Sequence, residues 1–202
     1  PTFSPQTLVP DLHISTLVSG LGTSFQSWVD SSEEYLYIAE YSGDCVRKVE
    51  LGGDNLVTTF AGTGAELSNV TNGVAATAAS LNRPLGIWGD SIGHLFLGEW
   101  HGRQVSVVNI SSGLINKYAG TAGTLGSTGD GFAATSALLR NVANLAGDTA
   151  GNVFIADAHN GKVRKVTFTT GVITTYAGNG IQSSVDHSVA TSGSLSEPFG
   201  LF

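Results

Sequence analysis

The chain has no methionine and a single cysteine, Cys45, among its 202 residues. One cysteine excludes an internal disulfide framework and leaves the redox compartment open. Its expected place is that of a small residue on a strand. Methionine is missing even at position 1, as expected of a processed chain or of a segment of a longer one. Basic residues are also scarce: 9 Lys and Arg stand against 16 Asp and Glu, for a net charge of −7 with no basic cluster. The electrostatic footprint for nucleic acid is therefore missing, and an anionic membrane is disfavoured for the same reason. No aliphatic run approaches the ~20 residues of a spanning helix, and no basic-then-apolar leader opens the sequence, so neither membrane insertion nor a targeting segment is expected.

What is present is 41% apolar residues with only 12% charged, a composition that folds. The sequence also repeats. "GNVFIADAHNGKVRKVTFTTGVITTYAGNG" (151–180) aligns with "GHLFLGEWHGRQVSVVNISSGLINKYAGTAG" (93–123), and again with "EYLYIAEYSGDCVRKVELGGDNLVTTFAGTG" (34–64). A period of nearly sixty residues built from short Val, Ile, Phe, Tyr and Thr runs marks a propeller or a solenoid. In the second copy the runs predict strands over 84–89, 94–99, 104–109 and 114–118, joined by turns short enough for hairpins. Four antiparallel strands form one propeller blade, covered on both faces by its neighbours, which explains why "NVFIA" and "HLFLG" are continuous rather than alternating. The expected fold is therefore all-β, a β-propeller of four-stranded antiparallel blades over about 23–64, 82–122 and 140–180. Longer Gly-rich connectors separate the blades. In one of them "DGFAATSALL" predicts one or two helical turns capped by Asp130.

"GNVFIADAHNGKVRKV", followed by "GVITTYAGNG" and "SLSEPFG", resembles the NHL repeat, with its Pro-x-Gly start, "IAD" strand, "(I/V)RKV" strand and "TxAG" exit. The resemblance covers nearly all of 14–202. It is weaker in the second copy, where "VSVV" replaces "VRKV" and "LGE" replaces "IAD", and the first copy lacks the Pro-x-Gly start. At the ends, "ISTLVSGLG" looks like the exit "ITTYAGNG", and "EPFGLF" looks like "RPLGIW". Residues 13–20 and 197–202 are thus expected to be strands of partial blades. NHL-like propellers close with about six blades, roughly 350 residues at this period. The resemblance therefore implies that the open blades are completed by more of the same chain, by a partner or by copies of this chain.

An acid ends the second run of every copy, as Glu40, Glu99 and Asp157. Beside Arg47 in the first copy and Arg164 in the third, it is expected to form an ion pair within the blade. The second copy offers Ser106 at that place, with Arg103 as a substitute. His101 and His159 share one repeat position and should lie on one face. The family resemblance includes a zinc-dependent amidating lyase, but the first-copy counterpart is Ser42. His13, His94 and His187 occupy unrelated positions, and zinc needs about three converging ligands. No Gly-x-Ser-x-Gly elbow, phosphate-binding loop or calcium ladder is present. We expect no enzyme activity and no cofactor. Trp28 and Trp88 fall in first strands and are expected in the core, while Trp100, with His101 and His159, is the candidate partner contact. Two sequons, Asn69-Val70-Thr71 and Asn109-Ile110-Ser111, are candidate N-glycosylation sites. The resulting expectation is an extracellular, non-catalytic scaffold or filament-type subunit that engages protein partners or copies of itself. The alternatives are a ligand-sensing propeller and, further off, a metal-dependent lyase.

Overall fold

The computed structural model describes residues 17–67, 70–183 and 189–202. Within them, strands β1 (Ser24–Val29), β2 (Tyr35–Glu40), β3 (Cys45–Glu50) and β4 (Val57–Ala61) form the first antiparallel sheet in chain order. A two-residue strand, β5 (Val74–Ala75), lies in the connector that follows. The second sheet runs β6 (Pro84–Gly89), β7 (His94–Glu99), β8 (Gln104–Asn109) and β9 (Leu114–Gly120), and the third β10 (Val142–Gly147), β11 (Val153–Asp157), β12 (Lys162–Val166) and β13 (Ile173–Ala177). These are propeller blades, with β6 packed between β1 and β10 along the inner side. An aspartate turns each first hairpin: Asp30, Asp90 and Asp148 accept the backbone amides of Tyr35, His94 and Asn152.

The first and middle blades each present an aromatic face to the next blade's aliphatic face. Trp28, Tyr37 and Phe60 pack on Ile87, Leu95, Leu97, Val108 and Ile115. Trp88, Phe96 and Tyr118 pack in the same way on Leu145, Val153, Ile155, Val166 and Ile173. Full burial of each such aliphatic side chain is worth about 1.5–3 kcal/mol, so these two seams dominate the cohesion of the stack. Trp28 and Trp88, expected in the core, are half-buried, and each indole lies on a glycine of the next blade, Gly89 and Gly147 respectively, where a Cβ would overlap the ring. The exit glycine of "AG" is fixed by backbone as well: Gly62, Gly120 and Gly178 have φ of +94°, +87° and +87°, and their Cβ positions fall on the carbonyls of Asp44, Arg103 and Gly161.

The connectors depart from expectation. The helical turns in "DGFAATSALL" shrink to one 3-10 turn, Ala134–Ser136, whose capping position makes no side-chain hydrogen bond. Asp130 does not cap it, because its carboxylate is taken by Arg164 and Thr175. The connectors also cover outer strand edges. β5 pairs with β9, which gives the middle blade a fifth strand, and Ala133 bridges to Val172 beside β13. The connectors thereby cover part of these two edges, and such cover guards an edge against strand addition.

At the ends, 13–16 lie outside the described residues, and neither 17–20 nor 197–202 is in a strand. A lone segment has no neighbour in its own sheet with which to form a ladder. The closing stretch nevertheless follows the third blade, where Asn144 Nδ2 donates to the Leu201 carbonyl at 3.2 Å. Gln26 makes the matching bridge from the first blade, accepting from the Ile87 amide and donating to the Ala143 carbonyl.

Candidate functional site

The repeated acids are built into the blades rather than presented to a ligand. Glu40 accepts from the Gly22 amide, from Cys45 Sγ and from Arg47 Nε, the last at 2.6 Å. Asp157 accepts from the Arg140 amide, from Asn160 and from Arg164 Nη1 at 3.3 Å. Glu99 accepts from the Asn82 amide, from Gln104 and from Ser106. In every blade the carboxylate therefore ties the lead-in to the first strand onto the third strand. The Arg47 and Arg164 partners expected from sequence pair with their acids diagonally across the strands, opposite Ile38 and Ile155 in register. Arg103, offered as the middle-blade substitute, sends Nη1 to the Gly123 carbonyl, and Gln104 is the long side chain that reaches Glu99. Gln104 follows the left-handed residue Arg103, whose conformation helps turn the chain into β8.

Burial sets the electrostatics. Asp157 and Arg164 are both fully enclosed, and desolvation pushes the Asp157 carboxyl up to about 6 against the pull of Asn160, the Arg140 amide and Arg164. Asp130, from the preceding connector, is the second acid on Arg164, at 2.7 Å. Burial opposes its charge too, but the Thr175 hydroxyl and Arg164 together hold it below the usual carboxylate range. Burial and the hydrogen bond to Glu40 push the Cys45 thiol up to about 12, which removes it as a nucleophile at neutral pH.

A different set of side chains gathers at the end of the blades where the second strand turns into the third. Trp100 meets His159 edge-on at 5.2 Å and Phe199 at 5.6 Å, and Tyr41 meets Phe25 at 5.4 Å and His101 at 6.3 Å. The two groups join through the buried cluster of Leu85, Ala143, Ala156 and Ala158, against which Tyr41 and Trp100 pack. Trp100 is thus half-buried rather than free, and the exposed members are His101, Phe25 (58%) and Phe199 (48%). Arg83 lies over the Tyr41 ring and pairs with Glu66. Non-glycine residues in the left-handed region repeat here, Arg83 and Asn141 before first strands, Glu197 at the matching place in the closing stretch, and Asp44 and Arg103 before third strands. Such backbone holds its strain only where surrounding bonds fix it: Asp44 accepts the Arg83 amide, and Trp100 donates its amide to the Arg83 carbonyl. The sequence marked Trp100, His101 and His159. It missed Tyr41 and Phe25, although Tyr41 stands at the Trp100 place of the repeat, and it missed Phe199, whose role depends on the next blade folding back.

Among the described residues, no group of three or more His, Cys, Asp and Glu is placed to hold a metal ion. His94 pairs with Asp90, while His13 and His187 lie outside the described residues, as does Asn69. Asn109 caps the hairpin after β8, its Oδ1 accepting from Ser111, from the Ser112 amide and from the Ser112 hydroxyl.

The arrangement of blades is shared with solved structures. The chain is similar to a protein of unknown function from Bacteroides thetaiotaomicron VPI-5482, with 19% identity and a TM-score of 0.67, covering 88% of this chain and 41% of that one. It is also similar to an auxiliary nutrient binding protein from Bacteroides ovatus ATCC 8483, at 17% identity and a TM-score of 0.59, covering 87% and 40%. A chain of a nidogen/laminin complex matches at 14% identity and a TM-score of 0.58, covering 81% and 52%. This chain thus spans about half or less of the length of each. No protein-family model matches the sequence. No curated protein matches it either. The class defined by sheets and neighbours is the β-propeller.

Proposed function

We propose that the chain is a non-catalytic interaction module of the NHL type, acting outside the cell as a scaffold or assembly subunit. Its blades supply rigidity, and the ring of aromatic and imidazole side chains at one end of the stack supplies the contact. The observation that carries this reading is the pairing of two arrangements. The repeated acids that would serve a reaction are consumed by backbone amides and strand partners, whereas Phe25 and Phe199 stand exposed beside the half-buried Tyr41 and Trp100. Exposed aromatics on a rigid rim are the side chains that anchor protein interfaces.

The test is the association state of the full chain by multi-angle light scattering, for the native sequence and for Phe25→Ala with Phe199→Ala. Mass that grows with concentration in the native chain and falls toward the monomer in the double variant is the expected result. A native chain that stays monomeric at every concentration, or a double variant that associates equally well, overturns the assembly reading. Retention of stoichiometric zinc through dialysis against a chelator overturns the non-catalytic one.

A further inference from the structure

The middle blade departs from the other two at one further position. Lys48 and Lys165 occupy equivalent places, opposite Tyr37 and Phe154 in the strand register, and each carries its ammonium over an aromatic ring of its own blade. Lys48 Nζ lies 3.5 Å from the centroid of Tyr35, and Lys165 Nζ lies 5.6 Å from that of Phe154. In the middle blade the residue in that register, opposite Phe96, is Val107. Phe96 keeps the ring of Phe154, His94 stands at the place of Tyr35, and the cation is gone. In its place is an open pocket of about 320 Å³, lined by His94, Phe96, Val107, Asn109, Tyr118 and Phe168. The corresponding space in the first blade, where Lys48 lies, is about 180 Å³.

We infer that this pocket on the middle blade binds an organic ammonium group, replacing from outside the cation that the flanking blades supply from their own chain. The rings are set for it. Phe96 and Tyr118 meet edge-on at 4.8 Å, His94 meets Phe96 at 6.4 Å, and Phe168 reaches in from the third blade. Ring faces attract cations, most strongly when the site is shielded from water, and cages of such rings recognise quaternary ammonium. The degree of alkylation follows from the neighbours. The Lys48 space includes the carboxylate of Glu50, which compensates a strongly hydrated primary ammonium, whereas Asn109 stands at that register position in the middle blade. The Asp90 carboxylate beside His94 is held by the imidazole at 2.9 Å. Without a free acid to replace lost water, the weakly hydrated alkylated ammonium is the better fit. The net charge of −7 favours its approach.

The test is calorimetric titration of the full chain with tetramethylammonium at constant ionic strength, with tert-butanol as the uncharged mimic of similar shape. Saturable binding of the cation alone is expected. Val107→Lys, which installs the residue used by the other blades, and Phe168→Ala, which removes a ring 56% exposed and so leaves the core intact, should each weaken binding at least about fivefold. Choline and a peptide carrying trimethyl-lysine then separate a free ligand from a protein side chain as the source of the same group. Absence of saturable heat, equal binding of tert-butanol, or unchanged affinity in Phe168→Ala overturns the inference. Light scattering plays no part in this measurement, so its outcome is independent of the assembly reading.

Discussion

The middle and third blades align strand for strand, yet they hold the same acid in different ways. In the third blade Asp157 faces a fully buried guanidinium that is shared with Asp130, whereas in the middle blade Glu99 is met by Gln104 and Ser106. The first blade is intermediate, because Arg47 keeps about a third of its side chain in water. One geometric task, joining the lead-in to the third strand, is thus met by a buried ion network, by a part-exposed ion pair and by hydrogen bonds from uncharged side chains. The difference teaches that the repeat constrains the acid and its backbone partner, while the side-chain donor is free to vary. The position that gave up its arginine in the middle blade is followed directly by the one that gave up its lysine, Ser106 and then Val107.

The largest expected effect separates the two ion pairs. Arg164→Met strands two carboxylates, one of them fully buried, and should cost about 3–5 kcal/mol in equilibrium urea unfolding. Arg47→Met breaks a pair whose guanidinium water already reaches and should cost about 1 kcal/mol. Equal losses would erase the distinction between the blades.

A second effect concerns pH. Because desolvation lifts the folded Asp157 carboxyl to about 6, above the ordinary aspartate range, the folded chain holds that proton more tightly than the unfolded one. The resulting stability is complete below the unfolded value and is lost as pH rises through about 6. Relative to Asp157→Asn, the native chain should therefore gain roughly 2 kcal/mol between pH 7 and pH 4.5. A difference that stays flat over that window would show that Arg164, rather than desolvation, governs the site.

The smallest effect belongs to the middle blade. Ser106→Ala removes one of the neutral donors to Glu99 and should cost about 1 kcal/mol, read from the same unfolding curves. A loss as large as that of Arg164→Met would mean that the middle blade depends on its acid as strongly as the third.

Much of this was legible in sequence because it is local. Turn residues and apolar runs located β6, β7 and β8 to the residue, and Arg47 and Arg164 were readable because adjacent antiparallel strands bring a residue seven places away back beside its acid. Asp130 was misread as a helix cap because its partner lies 34 residues further along, and no local pattern reports such a distance. Phe199 escaped notice for the same reason, as it reaches Trp100 only through the packing of successive blades.

The sequence by itself determined the blade: its strand order, its turn glycines and aspartates, and the acid with its strand partner, all settled by hydrogen bonds and steric limits between residues near in the chain. The tertiary structure alone decided what happens between blades. It placed the Trp28 and Trp88 indoles on the next blade's glycine, shared Arg164 between two acids, gathered the exposed rings at one end and left the pocket beside Val107 open. Those outcomes depend on which surfaces exclude water when blades meet, and a linear pattern carries no distance between residues of different blades.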